Sequence, residues 1–229
     1  MKNHSFLSLL LFCSVFAFSQ ESSYLELKSA LNTRDTKLQA LGMWVRDKSS
    51  ENIVTGSVYL FPNWTNQYSL VTKKGDSRKI LNLNYNLITK QLESLISKDS
   101  VFQFDLNQLD YVIQSNNKYK VISDAQLNGL FLEVFNGEKI KLFKEINIVV
   151  DKGVYNPLTD KKTDDKFAQT YSYYFLVNGK YEKAKLGRNV ILKYLNDDKK
   201  EIKEFVSKNN LSYTSDEDVR KILNHYNLR

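Results

Sequence analysis

From about residue 53 to residue 187, apolar side chains recur at every second position in short runs, and turn-forming pairs separate the runs. A repeat of two places alternate side chains on opposite faces of an extended chain, so this stretch is restricted to β-strands joined by local turns. Ile53 to Phe61 reads as the first strand, ended by Pro62 and Asn63. Tyr68–Thr72 and Lys79–Leu83 flank Gly75-Asp76 as a hairpin. Further strands are expected near Tyr85–Thr89, Leu92–Ile96, Ser100–Phe104, Asp110–Gln114 and Lys118–Ile122.

Two Asn-Gly pairs mark later hairpins. Asn136-Gly137 lies between Leu130–Phe135 and Lys139–Lys144, and Asn178-Gly179 between Tyr171–Val177 and Tyr181–Lys185. Asn-Gly suits the type I′ turn, whose two central residues both need positive φ. The last forty residues change period. Val190, Ile191, Tyr194 and Leu195 form one apolar face, and Ile202, Phe205 and Val206 form a second, behind a capping-box-like Asp198 and Glu201. Ser215 with Asp218 opens a final helix with the stripe Val219, Ile222, Leu223 and Tyr226. Helices this short are marginal alone and must bury these stripes. The expected fold is α+β: a curved antiparallel meander or partly open barrel over 53–187, with a helical tail over 188–229 packed on it. Only Pro62 and Pro157 interrupt residues 20–229, and no Gly/Ser-rich linker divides them, so one continuous domain is expected. Residues 20–52 give a weak helical pattern over 21–42, with Gly42 as a stop, and leave helix, strand and loose arm open.

The first nineteen residues read as a secretory signal: Lys2, an apolar stretch Phe6–Phe18, and small residues Ala17 and Ser19 before a cleavage point ahead of Gln20. The stretch is too short for a bilayer-spanning helix. Phe12 before Cys13 is too large for lipidation. Cleavage removes the chain's one cysteine and leaves His225 as the sole histidine. A chain of about 210 residues buries roughly 70% of its unfolded surface, so its core can carry stability without disulfides. The mature chain is expected to be periplasmic or extracellular, with no transmembrane segment.

The formal net charge of +7 is spread without a like-charged block, so the stripe expected of a nucleic-acid binder is missing. The excess implies solubility and attraction to acidic surfaces.

Three stretches carry a resemblance. They are Gly-Ser-Val-Tyr-Leu-Phe-Pro-Asn-Trp at 56–64, Leu-Asn-Leu-Asn-Tyr-Asn-Leu at 81–87, and the tail with Lys-Lys-Glu-Ile-Lys-Glu-Phe-Val at 199–206. With the Ala-Phe-Ser-Gln signal end, the chain resembles secreted β-rich proteins of Bacteroidota-type bacteria. The resemblance covers most of 53–229, implies export and fold, and brings no activity and no site residue.

Candidate chemistry is sparse. A Ser-His-Asp system needs a base, and His225 beside Tyr226 is better placed as a charge near a helix C-terminus. No cofactor and no metal centre is expected: cysteine is gone, and the carboxylates of 159–165 lack the EF-hand ligand pattern and include two lysines. Glu133, in the apolar run Leu130–Phe135, is the acid whose surroundings could raise its pKa, and on a half-solvated strand it alternates outward. The positive feature is aromatic. Tyr171, Tyr173 and Phe175 share a strand face, with Trp44, Tyr59, Trp64 and Tyr68 elsewhere in the β-region. Such rings fill sheet cores or line a ligand surface. Tyr171, Tyr173, Phe175 and Trp64 are the candidate ligand-binding residues. The expected role is a non-enzymatic envelope protein that binds a protein partner or an apolar ligand. The alternatives are a lipid binder resembling the periplasmic lipoprotein-carrier proteins and a carboxylate-dependent hydrolase of envelope glycans.

Overall fold

The structure is a computed structural model that describes residues 41–46, 54–97, 100–195 and 199–228. The signal segment, most of the weak helical pattern and Asp198 lie outside the described residues. Fourteen strands and three helices follow in chain order among those described.

A four-stranded sheet has the order β1 (Gly42–Arg46), β6 (Ser100–Phe104), β5 (Gln91–Ser97), β4 (Leu83–Asn86). Gly42 therefore begins a strand instead of stopping a helix. It pairs with Phe104, and a Cβ added there would fall 1.8 Å from the Gln103 carbonyl oxygen, so the close approach requires glycine. An eight-stranded sheet runs β14 (Lys180–Ala184), β13 (Lys166–Val177), β10 (Lys141–Asp151), β9 (Asn128–Asn136), β8 (Asn117–Ser123), β7 (Leu109–Gln114), β2 (Gln67–Thr72), β3 (Ser77–Leu81). All of its pairings are antiparallel. Its order starts at β14 and ends at β3, so it stays an open sheet and not a barrel. A small hairpin, β11 (Tyr155–Asn156) with β12 (Lys161–Lys162), tips the extension of β10 and β13.

The tail forms α1 (Arg188–Tyr194), α2 (Lys199–Lys208) and α3 (Asp216–Asn227). Ser215 caps α3: its hydroxyl accepts from the Asp218 N–H at 3.4 Å, and three acids fill the first turn, where they complement the helix dipole.

Two main cores result. One lies between the four-stranded sheet and the β2–β10 part of the larger sheet, around Leu70, Leu83, Leu92, Phe104, Val112 and Leu130. The other lies where Leu142 and Phe175 meet Ile191, Ile202, Val219 and Ile222 of the helices. So the tail's apolar stripes are buried against the sheet, as their spacing predicts.

Three further expected elements differ. Tyr85–Thr89 is strand only at its first two residues, the end of β4, and residues 87–90 turn toward β5. Ile53–Phe61 makes no extended strand: residues 54–61 contribute single bridges, Thr55 to Lys166 and Tyr59 to Asn86. Gly56 at φ +100° turns the chain between them, and the segment crosses from β13 of the larger sheet to β4 of the smaller one. Asn136-Gly137 does not form a type I′ turn. The connection spans residues 137–140, closed by Gly137 N–H donating to the Ile140 carbonyl. The Asn227 side chain of α3 accepts from Glu138 N–H in this loop, a tertiary contact that overrides the local preference. Asn178-Gly179, at φ +50° and +76°, does take the expected turn.

Candidate binding surface

β13 is twelve residues long and β14 only five, and the mismatch creates the site. β10 covers one edge of β13 along its whole length, from Lys141–Leu176 to Asp151–Lys166. On the other edge, β14 pairs only from Tyr173–Ala184 to Val177–Lys180. At the far end Phe167 N–H donates to the Thr55 carbonyl at 2.9 Å. Backbone groups alternate in direction along an antiparallel strand, so the odd residues that face β14 at 173–177 and Thr55 at 167 face outward between them. The N–H and C=O groups of Gln169 and Tyr171 therefore lie on an unpaired edge, and no backbone bond to them from the described residues is formed.

The same stretch lies at the seam between the two cores. Tyr171 sits opposite Ile146, which belongs to the inter-sheet core, and Phe175 sits opposite Leu142, which belongs to the helical core. Tyr171 falls where neither layer reaches and is 54% exposed. Tyr173, opposite Lys144, is half-buried. The Lys144 ammonium stands 4.2 Å over the Tyr171 ring and donates to Asp216 Oδ2 at 2.7 Å. The Tyr173 hydroxyl donates to Asp216 Oδ1 at 2.7 Å. Burial, and then the Asp216 carboxylate, push the Tyr173 phenol well above its ordinary range. It is a fixed donor and not a base. Around Tyr171 and Tyr173, with Ser172, Lys183, Ala184 and Lys185, opens a groove of about 500 Å³.

Of the four candidate residues, the structure brings together Tyr171 and Tyr173. Phe175 shares their face but is fully buried, stacked on Tyr194 at 4.1 Å, so it is core and not pocket wall. Trp64 lies apart, edge-on to Tyr59 at 4.7 Å. Tyr59 and Leu60, not Trp64, meet β13: their carbonyls accept from the Gln169 amide. The groove is therefore not the enclosed apolar cavity that a lipid carrier needs. Sequence reasoning missed the backbone edge, because its length depends on where the chain leaves β14 to bury Leu186 in the helical core.

The acids singled out by sequence have local partners. Glu133 lies on the opposite sheet face and accepts from the Tyr111 hydroxyl at 3.5 Å, with the Lys118 ammonium at 3.9 Å. On the same face Glu145 accepts from Lys90 and from the Tyr174 hydroxyl. In the 159–165 loop, Asp160 accepts from the Tyr155 hydroxyl, and Asp165 from Lys152, Lys162 and Gly153 N–H. Among the described residues no three of His, Cys, Asp and Glu are grouped as metal ligands. His225 stacks on Phe205 at 3.9 Å, with Nε2 3.7 Å from Glu201. No described helix is long and apolar enough to cross a membrane.

Compared with known proteins, the chain matches no family model, no curated protein and no solved structure.

Proposed function

We propose that the chain is an exported envelope protein that binds a partner without catalysing a reaction, and that its binding surface is the seam at Tyr171 and Tyr173. The observation that carries this reading is an exposed tyrosine ring next to the buried Phe175, beside a stretch of sheet edge that no described residue pairs. Exposed aromatic side chains give large contact area at small entropic cost, which suits recognition. The leader-like first nineteen residues support export, and the two large apolar cores are compatible with a fold that uses no disulfide.

A filled sheet favours a partner surface over a lipid pocket, since Phe175 occupies the position a pocket would need. Engagement of Glu133 by Tyr111 and Lys118, and of Glu145 by Tyr174 and by Lys90 from the β4–β5 turn, disfavours the glycan-hydrolase reading, which requires two carboxyls across a cleft.

Native mass spectrometry of the chain purified from its own envelope tests the proposal. A co-purifying protein is the expected result, and a co-purifying lipid would move the role to carriage. A bare chain that turns over envelope glycan would overturn it.

A further inference from the structure

We propose that the open edge of β13 takes up an extended, acidic segment of a partner protein as an added strand. This rests on the binding role argued above and names what is bound. The open stretch runs from Ala168 to Ser172, bounded by Thr55 at Phe167 and by Ala184 at Tyr173. At 3.3–3.4 Å per residue it spans about 17 Å, room for a strand of about five residues. Gln169 and Tyr171 present donors and acceptors in alternation. An extended peptide backbone matches that pattern, whereas a lipid or a sugar chain does not.

The outer edge of β14, by contrast, is guarded. Lys180 and Lys183 are exposed there, and the Tyr181 N–H is taken by the Gln126 side chain at 3.3 Å. Charged side chains on an edge strand are the usual defence against unwanted pairing. The β13 step carries no charged side chain on its own stretch, Ala168 to Ser172, and has an exposed ring above a groove. Alternate side chains of an added strand would rest against Tyr171 and Ala184.

Charge selects the occupant. Lys166 at one end of the edge and Lys183 and Lys185 at the other are exposed. Lys166 has Asp151 directly opposite on β10 and the exposed Asp164 two residues before it, so that end is balanced. At the other end Glu182 lies 3.9 Å from the Lys193 ammonium and Asp216 is held by Lys144, which leaves Lys183 and Lys185. The positive charge is concentrated at the Lys183 and Lys185 end, so a segment bearing Asp or Glu is favoured there.

Selection of a displayed random twelve-residue peptide library against the full chain tests this. The selected peptides are expected to be rich in Asp and Glu and to slow amide exchange at Gln169 and Tyr171. They should bind the K183E/K185E chain about tenfold more weakly, the scale set by two lost rim charges. N-methylation of alternate peptide bonds should abolish binding in one of the two registers, since it removes the ladder donors. The proposal is overturned if no peptide is selected, if those selected are neutral or basic, or if N-methylation in either register leaves binding unchanged. A partner found by native mass spectrometry together with any of these outcomes would retain the binding role and discard strand addition.

Discussion

The Tyr173 hydroxyl donates to the Asp216 carboxylate across 2.7 Å, joining the eight-stranded sheet to the first turn of α3. Lys144 donates to the other oxygen of the same carboxylate, so one side chain at the helix N-terminus receives two donors from adjacent strands. The carboxylate also lies where the helix dipole favours negative charge. Because the contact is formed only when the tail is docked, it reports directly on how sheet and helices are held together.

Tyr173→Phe is expected to lower unfolding free energy by about 1–2 kcal/mol, the range for a partly exposed hydrogen bond to a charged group. Asp216→Asn should cost a similar amount, and the double variant less than the sum of the two. Urea unfolding of the three variants measures this. Strict additivity would show that the contact does not couple sheet to helix.

Gly137→Ala is expected to destabilise the chain by about 1–3 kcal/mol, as crowding in a packed site does. The added Cβ would fall 2.3 Å from Asn227 Oδ1 and 2.6 Å from Phe135 Cε1. Adding Asn227→Ala should recover part of the loss by removing one of the two obstacles. Thermal unfolding reads both. A neutral Gly137→Ala would contradict the placement of α3 against the 137–140 loop.

Burial pushes the phenols of Tyr85 and Tyr119 up to about 12. Each is neutral when protonated, and its folded value lies above its unfolded value of about 10. The stability tied to these groups is therefore fully present below about pH 10 and is lost as pH rises toward 12. Absorbance titration at alkaline pH should show a late-ionising class of tyrosines that moves to about 10 in urea. A single ordinary class in the folded chain would contradict the burial of these rings.

At the tip of the β10–β13 extension, Lys152, the Gly153 N–H and Lys162 hold the Asp165 carboxyl well below the usual carboxylate range. Its contribution is present above the ordinary carboxylate pKa and is lost only as pH falls through the lowered value. Asp165→Asn should speed amide exchange at Gly153 at neutral pH, with little effect on global unfolding because the group is on the surface. Unchanged exchange would show that the tip is held by other contacts.

Much of the architecture was readable because it is set by local patterns. Alternation places Leu70 with Val112 and Tyr119 with Leu132 on the buried face, and the 3.6-residue spacing of Val219, Ile222 and Leu223 fixes the inner side of α3. Asn178-Gly179 was legible since nothing outside its hairpin competes for it. Asn136-Gly137 was not, because Asn227, about ninety residues away, captures the loop. Residues 54–61 alternate like a strand, yet Gly56 divides them between the edges of two sheets. The candidate site was half legible. Periodicity put Tyr171, Tyr173 and Phe175 on one face, but how far the helices cover that face decides that Phe175 is core and Tyr171 exposed. The open backbone edge has no side-chain signature at all.

Partner contact at Tyr171 is read most directly by a crosslink. Replacing Tyr171 with the photo-crosslinker p-benzoylphenylalanine, and in a control chain exposed Lys208 on α2, tests it in the cells that make the protein. A discrete adduct is expected from position 171, absent from position 208 and suppressed by added Lys183→Glu and Lys185→Glu substitutions. Equal adducts from both positions, or adducts from position 208 alone, would contradict it.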